Sequence, residues 1–246
     1  MLKRENQCLP TMLLVLAIAL IVTPARGAEP YAIEVATAKA SSDFPAAIVD
    51  SLDPRGSRLT TFVNGLNTTI CEVWWAKTVE AQKSSPPAPG VLYGNLRVGA
   101  LVGVIHYLPD GNPDYREDFR DQKLRPGYYT MRYVQMPDDK AHKDVNPYRD
   151  FVLLSSVSVD RQPDRVLTME DMLRWSRLAS RSHHPAIMGL VPVDVSYKKF
   201  PGVRTDDSGS CILQVKLRLS PEKSGPPRDL TFAIVLVTPI REGGES

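Results

Sequence analysis

The chain has 246 residues, of which 43% are hydrophobic, 24% charged and 7% aromatic, so it can bury a sizeable core and is neither disordered nor collagen-like. Lysine and arginine number 30 against 28 aspartates and glutamates, and the first 27 residues hold three of these cations and one of the acids. The rest of the chain therefore balances in formal charge, which argues against a dedicated nucleic-acid-binding protein.

The N-terminus is typical of a secretion signal. Lys3 and Arg4 precede an apolar run of eleven residues, 12–22. Such a run is long enough for the core of a signal peptide but shorter than the roughly 20 residues that cross a bilayer as a helix. We predict cleavage after Gly27, because small residues then occupy both required positions. The expected product is an exported domain, 28–246, that is periplasmic or extracellular and has no membrane span.

Seven apolar and β-branched stretches separated by turn residues predict strands. They are 58–63, 70–79, 96–108, 128–136, 151–159, 211–219 and 230–237. Within 211–219 apolar residues alternate with polar ones, which indicates one buried and one wet face. We predict a single mainly β domain, an antiparallel β-sandwich of the immunoglobulin-like or jelly-roll-like kind.

One segment has helical periodicity. Thr168 is placed to cap a helix over 168–180, with Asp171 three residues on and apolar residues at helical spacing after it. We predict a short amphipathic helix within an insertion of about 164–200, which closes one end or edge of the sandwich.

Two cysteines, Cys71 and Cys211, remain after residue 27. In an exported protein a disulfide between them would close a loop of about 140 residues and stabilise the fold by about 5 kcal/mol. Two buried thiols are the alternative.

The stretch 124–186 carries a distinctive set of motifs. It contains PGYYTMRY at 126–133, His142 followed by PYRDF at 147–151, and HPA at 184–186. These resemble the PGxYTxRY strand and the downstream His...PxRDF segment of a family of uncharacterised secreted bacterial proteins. The resemblance implies export and a compact β-rich fold, and it transfers no activity. The family usually has a glycine ahead of the histidine, where this chain has DKA at 139–141.

Arg132 lies within an apolar strand, so it requires a carboxylate partner. Asp150, at the start of the next predicted strand, is the candidate. We interpret Arg132 and Asp150 as an ion pair that fixes the fold, with a ligand-binding arginine as the alternative.

Three loop histidines, His142, His183 and His184, suggest a transition-metal site, because neutral imidazole is a common ligand of copper and zinc. The spacing supports this weakly, since the sequence has no HxH, CxxC or HExxH motif. Hydrogen-bonded or solvated loop histidines are the alternative.

Asp110, Asn112 and Asp114 begin a calcium-like spacing that continues to Asp118 and to residue 121. Tyr115 stands where a calcium loop needs glycine, so a solvated loop between strands is the alternative. We expect no cofactor, although transition metal and calcium remain the two hypotheses.

Catalytic signatures are missing from the sequence. It has no GxSxG elbow and no glycine-rich phosphate loop that opens a helix. We therefore favour a non-enzymatic protein.

Trp74 and Trp75 are adjacent on a predicted strand, so one should enter the core and the other should face outward or into a second layer. An exposed tryptophan would bind a glycan or a protein, whereas one covered by the N-terminal segment or the helix would contribute only to packing of the core.

The sequence thus predicts an exported, non-catalytic β-sandwich that binds a protein or glycan through loops and exposed aromatics. An exported copper- or zinc-binding protein that uses the loop histidines is the alternative.

Overall fold

Strands dominate the computed structural model, which describes residues 31–36, 44–63, 66–82, 88–111, 113–138, 147–220 and 226–238. The predicted signal peptide, His142 and Asn112 lie outside the described residues. The helices are α1 Ala46–Ser51 and α2 Met169–Ser180, and a 3₁₀ turn spans Pro113–Tyr115. The strands are β1 Tyr31–Ala36, β2 Gly56–Val63, β3 Leu66–Trp75, β4 Val79–Glu80, β5 Leu101–Tyr107, β6 Gly127–Gln135, β7 Asp150–Ser156, β8 Ile187–Gly189, β9 Gly202–Thr205, β10 Cys211–Ser220 and β11 Arg228–Val237.

Two sheets face each other across the main core. Seven strands in the order β1-β2-β3-β5-β6-β7-β8 form an antiparallel sheet that curls into a half-barrel. The second sheet has the order β11-β10-β4, and β9 pairs with the other end of β10. A bridge between Leu190 and Ile234 joins the end of β8 to β11. The predicted mainly β, sandwich-like fold is confirmed.

Alternation along the strands explains which side chains fill the space between the sheets. In β10 every second residue from Cys211 to Leu219 is buried. On the opposite face Lys216 and Arg218 are exposed but Ile212 and Gln214 are buried, so the predicted wet face is found only in the second half of the strand. Burying an apolar side chain of this size contributes about 1.5–3 kcal/mol, so the register that keeps this face inside is strongly favoured.

The helix α2 forms where the sequence predicts it. The Thr168 hydroxyl accepts a hydrogen bond from the Asp171 backbone N–H at 3.1 Å, and Arg181 ends the helix in the left-handed conformation. Met172 and Trp175 pack against β6 and β7. The helix therefore covers the outer face of the large sheet rather than an end of the sandwich.

A second helix, α1, was not predicted, and it covers the outer face of the same sheet at Trp74. Ile48 from α1 and Phe44 just before it form a small apolar cluster with Trp74 and Val104. The Phe44 ring meets the Trp74 ring edge-on, with their centroids 6.0 Å apart. Both faces of β5 and of the second half of β3, from Ile70 to Trp75, are consequently largely buried, which accounts for the nearly continuous apolar sequence of β5.

The prediction that Arg132 pairs with Asp150 is wrong. In the β6–β7 register Arg132 stands opposite Leu153, and Asp150 lies three residues from Leu153, so the two side chains emerge on opposite faces. Arg132 instead donates from Nε and Nη2 to the carboxylate of Asp160, at 2.6 and 2.8 Å. Asp150 accepts hydrogen bonds from the Tyr133 hydroxyl and from two backbone N–H groups of the loop before β5.

Candidate binding groove

A groove of about 560 Å³ opens where the ends of β2 and β3 meet β10 and the loop before β9. We call it the basic groove. Two backbone hydrogen bonds hold its near wall, from Asp53 N–H to the Trp75 carbonyl and from Lys77 N–H to the Ser51 carbonyl, each 2.8 Å long. The Phe200–Pro201 segment forms the opposite wall. These two hydrogen bonds fix the near wall of the groove.

Cations outnumber carboxylates around the basic groove. The charged side chains that line it are Arg55, Lys77, Lys216, Arg218, Asp53 and Asp229. Among the residues that the structure describes, four positive and two negative side chains line the groove, in a chain whose segment 28–246 is formally neutral. The groove is therefore a place where an anionic ligand gains electrostatic energy.

The two cations of β10 are the least neutralised. Lys216 and Arg218 point outward from the wet face of the strand, and no carboxylate of the described residues lies within ion-pair distance of either. Asp229 stands opposite Arg218 in the β10–β11 register without forming such a pair. By contrast, Arg55 binds the carboxylate of Asp53, with Nη2 3.2 Å from Oδ2.

Asp53 stays charged in the groove, because the hydrogen bonds from Arg55 lower the pKa of its carboxyl group. This pair is exposed, so its contribution to stability is small. Its effect is to leave Lys77, Lys216 and Arg218 as the groove cations without a carboxylate partner among the described residues, although the Lys77 ammonium donates to the Asp50 carbonyl at 2.7 Å.

Aromatic side chains supply the apolar part of the groove. Trp75 forms part of its lining while its ring packs edge-on against Phe232 in the core. Phe200 is half-buried, and the Lys216 ammonium lies 5.3 Å from the centre of its ring. The arrangement combines mobile cations with fixed apolar surfaces, as sites for polar, ring-containing ligands do.

A second hollow, of about 380 Å³, adjoins the basic groove on the other side of Phe200 and Pro201. We call it the aromatic hollow. Tyr31 of β1 and Tyr197 of the loop line it, together with Lys199. The Tyr197 hydroxyl donates to the Val203 carbonyl, which fixes its ring in place.

Of the two alternatives for the tryptophans, the structure shows the covered one, so Trp74 and Trp75 do not form an exposed binding surface. Trp74 and Trp75 are 2% and 9% exposed. Trp74 is covered by α1, and Trp75 packs on the main core. The alternation of side chains along the strand placed the two residues on opposite faces correctly. Because α1 covers the outer face of the large sheet at this point, neither ring is exposed to bind a ligand.

The predicted metal sites are not assembled in the described part of the chain. His183 and His184 are exposed after α2, and His184 Nδ1 lies 3.0 Å from a guanidinium nitrogen of Arg120. Among the described residues, no three His, Cys, Asp or Glu side chains come together as a metal-binding group. The contribution of His142 stays a prediction.

The calcium hypothesis finds little support in the described part of its loop. Asp110 and Asp114 are exposed. Asp118 is buried and accepts hydrogen bonds from the backbone N–H groups of Arg120, Gln122 and Ile187. Its carboxylate therefore ties the loop to β8 rather than pointing toward the other two acids.

Cys71 and Cys211 are both buried, the first in the large sheet and the second in the small one. Removal from water raises the pKa of the Cys71 thiol, since burial disfavours the thiolate. The structure shows no disulfide between these two described residues, so the bridge stays a prediction.

Part of the basic groove could have been found from sequence. The alternation in 211–219 predicts that Lys216 and Arg218 face water. Nothing in the sequence indicates that Arg55, Lys77 and Phe200 lie beside them, because these residues are more than ten positions away and only the tertiary structure brings them to β10.

Comparison with known proteins yields no match, whether to a protein family, a curated protein or a solved structure. Within the described ranges, no helix has the length and apolar character needed to cross a membrane. A functional assignment therefore depends on the geometry of the chain itself.

Proposed function

We propose that this protein is an exported, non-catalytic β-sandwich module that binds an acidic glycan, a uronic-acid-bearing oligosaccharide, in the basic groove. The observation that carries the proposal is the excess of positive charge among the described residues that line the groove, beside the half-buried ring of Phe200. Carboxylates on the ligand would meet Lys77, Lys216 and Arg218.

Aromatic surfaces favour a sugar over an acidic peptide. The C–H faces of sugar rings pack on aromatic side chains, and Phe200 presents such a surface directly below the Lys216 ammonium. A purely electrostatic partner would need the cations but not the ring. The exposed tryptophan expected from sequence is thus replaced, in this proposal, by Phe200.

Titration calorimetry with a uronic-acid tetrasaccharide and its carboxyl-reduced, neutral counterpart tests the proposal. We expect binding of the acidic sugar only, with affinity that falls as salt is raised. Replacing both Lys216 and Arg218 by alanine removes two charge contacts worth about 0.5–1 kcal/mol each, so the affinity should fall roughly tenfold.

The matched control replaces Lys198 and Arg161, two exposed cations outside the groove, by alanine. This variant should bind like the wild type. Equal binding of the neutral sugar, or an equal loss in the control variant, would refute the acidic-glycan proposal. A poly-glutamate peptide that binds as tightly as the sugar would refute its glycan part.

Export of the mature chain also stays a prediction. N-terminal sequencing of the protein recovered outside the cytoplasm should begin at Ala28, and an intact Met1 would contradict it.

A further inference from the structure

The basic groove and the aromatic hollow share one wall. Phe200 and Pro201 line both cavities, one on each side. The two spaces are therefore neighbouring compartments of one surface depression, separated by a ridge.

The aromatic hollow has its own charge and shape. Tyr31 and Tyr197 provide rings, and Lys199 is the charged side chain among the residues that line it. One cation and two rings match the groups that a single acidic sugar presents: a carboxylate and a C–H face.

Positive charge is continuous across the ridge. Lys216 extends over the ring of Phe200 from the groove side, and Lys199 precedes Phe200 on the hollow side. A ligand that left the groove across Phe200 would meet Lys199 next, and none of the described residues that line the hollow is a carboxylate that would repel it.

Resting on the function proposed above, we infer that the aromatic hollow is a second subsite for the same acidic glycan. Consecutive sugars of one chain occupy the basic groove and the aromatic hollow, with Phe200 and Pro201 between them. The preferred ligand is an extended oligosaccharide rather than a mono- or disaccharide, because the second subsite binds at the effective concentration set by the covalent link.

Affinity as a function of chain length tests this inference, with uronic-acid di-, tetra- and hexasaccharides measured by titration calorimetry. A hexasaccharide contains about five overlapping disaccharides, so it can occupy a single subsite in about five ways. With one subsite, the affinity therefore rises at most about fivefold from disaccharide to hexasaccharide. We expect a gain of more than tenfold from disaccharide to hexasaccharide.

Two variants separate the compartments. Lys199→Ala changes an exposed residue and should leave the fold intact, and Tyr31→Ser removes a ring of the hollow. Both should abolish most of the gain with chain length while leaving disaccharide affinity unchanged, whereas Lys198→Ala should change neither. Thermal unfolding of each variant shows whether the fold is retained, and Lys199→Ala decides the question if Tyr31→Ser unfolds.

The outcomes distinguish the two proposals. If no acidic oligosaccharide binds, the proposed function fails. If the disaccharide binds and the hexasaccharide gains no more than about fivefold, or if the gain survives both hollow variants, the second subsite is refuted while the function of the basic groove stands.

Discussion

Arg132 illustrates how a single residue can hold several loops in place. Its guanidinium is 2% exposed, and it donates to both oxygens of Asp160 and to the carbonyls of Gly99, Gln162 and Pro163. Every donor nitrogen of the buried cation is thus engaged, which is the condition under which a buried charge is tolerated. The sequence predicted that Arg132 needs a carboxylate, but only the register of β6 and β7 decided which one.

Replacing Asp160 by asparagine should destabilise the protein strongly, because it leaves the Arg132 charge buried without a counter-charge. We expect a loss of about 3–5 kcal/mol in the free energy of unfolding, measured by urea denaturation. Asp164→Asn, an exposed change four residues away, should cost less than about 0.5 kcal/mol. Similar losses for the two variants would contradict the role given to Asp160.

At the scale of elements, the pairing of β3 with β5 depends on one small residue. Gly103 stands opposite Trp75, and a Cβ atom there would lie 2.4 Å from the Trp74 carbonyl oxygen and 3.2 Å from the Trp75 Cα. Both obstacles are backbone atoms of the neighbouring strand, so they cannot move aside without breaking the ladder. The sequence shows a glycine inside an apolar strand, which indicates that another part of the backbone approaches it closely. It does not indicate which part of the chain that is.

Gly103→Ala should therefore separate β3 from β5 locally and lower stability by about 3 kcal/mol or more, as judged from chemical denaturation. Gly94→Ala is the control, since its Cβ would contact only a methyl group of Val91, at 3.3 Å. We expect a change within about 1 kcal/mol there. A mild effect of Gly103→Ala would show that the strands can part more easily than this geometry implies.

Across the whole molecule, Tyr93 connects the two sheets. Its hydroxyl donates to the Val191 carbonyl at 2.7 Å and accepts from the Ala233 N–H at 3.0 Å, and its own N–H binds Asp150. One side chain from the loop before β5 thus joins the segment after β8, the strand β11 and the start of β7. Tyr93 therefore reinforces the contact that the Leu190–Ile234 bridge makes between the two sheets.

Tyr93→Phe should cost about 1–3 kcal/mol in the free energy of unfolding, because it leaves a buried N–H and a buried carbonyl without their partner. Tyr107→Phe is a matched control. The Tyr107 hydroxyl is buried and has no hydrogen-bond partner among the described residues, so its removal should be neutral or slightly stabilising. The two variants are compared by thermal and urea unfolding, and equal losses would refute the assignment of Tyr93 as the connection.

The sequence by itself determined the mainly β class, seven of the eleven described strands and the capped helix α2, because these depend on local periodicity and on residues within a few positions of one another. It did not determine β1, β4, β8 and β9, which have six residues or fewer and are defined by their partners in the sheets. The tertiary structure alone decided that both tryptophans are buried, that Arg132 pairs with Asp160, and that cations from three separate segments meet beside Phe200. Each of these depends on which distant strands pair and in what register, and a one-residue change of register would send every one of these side chains to the other face.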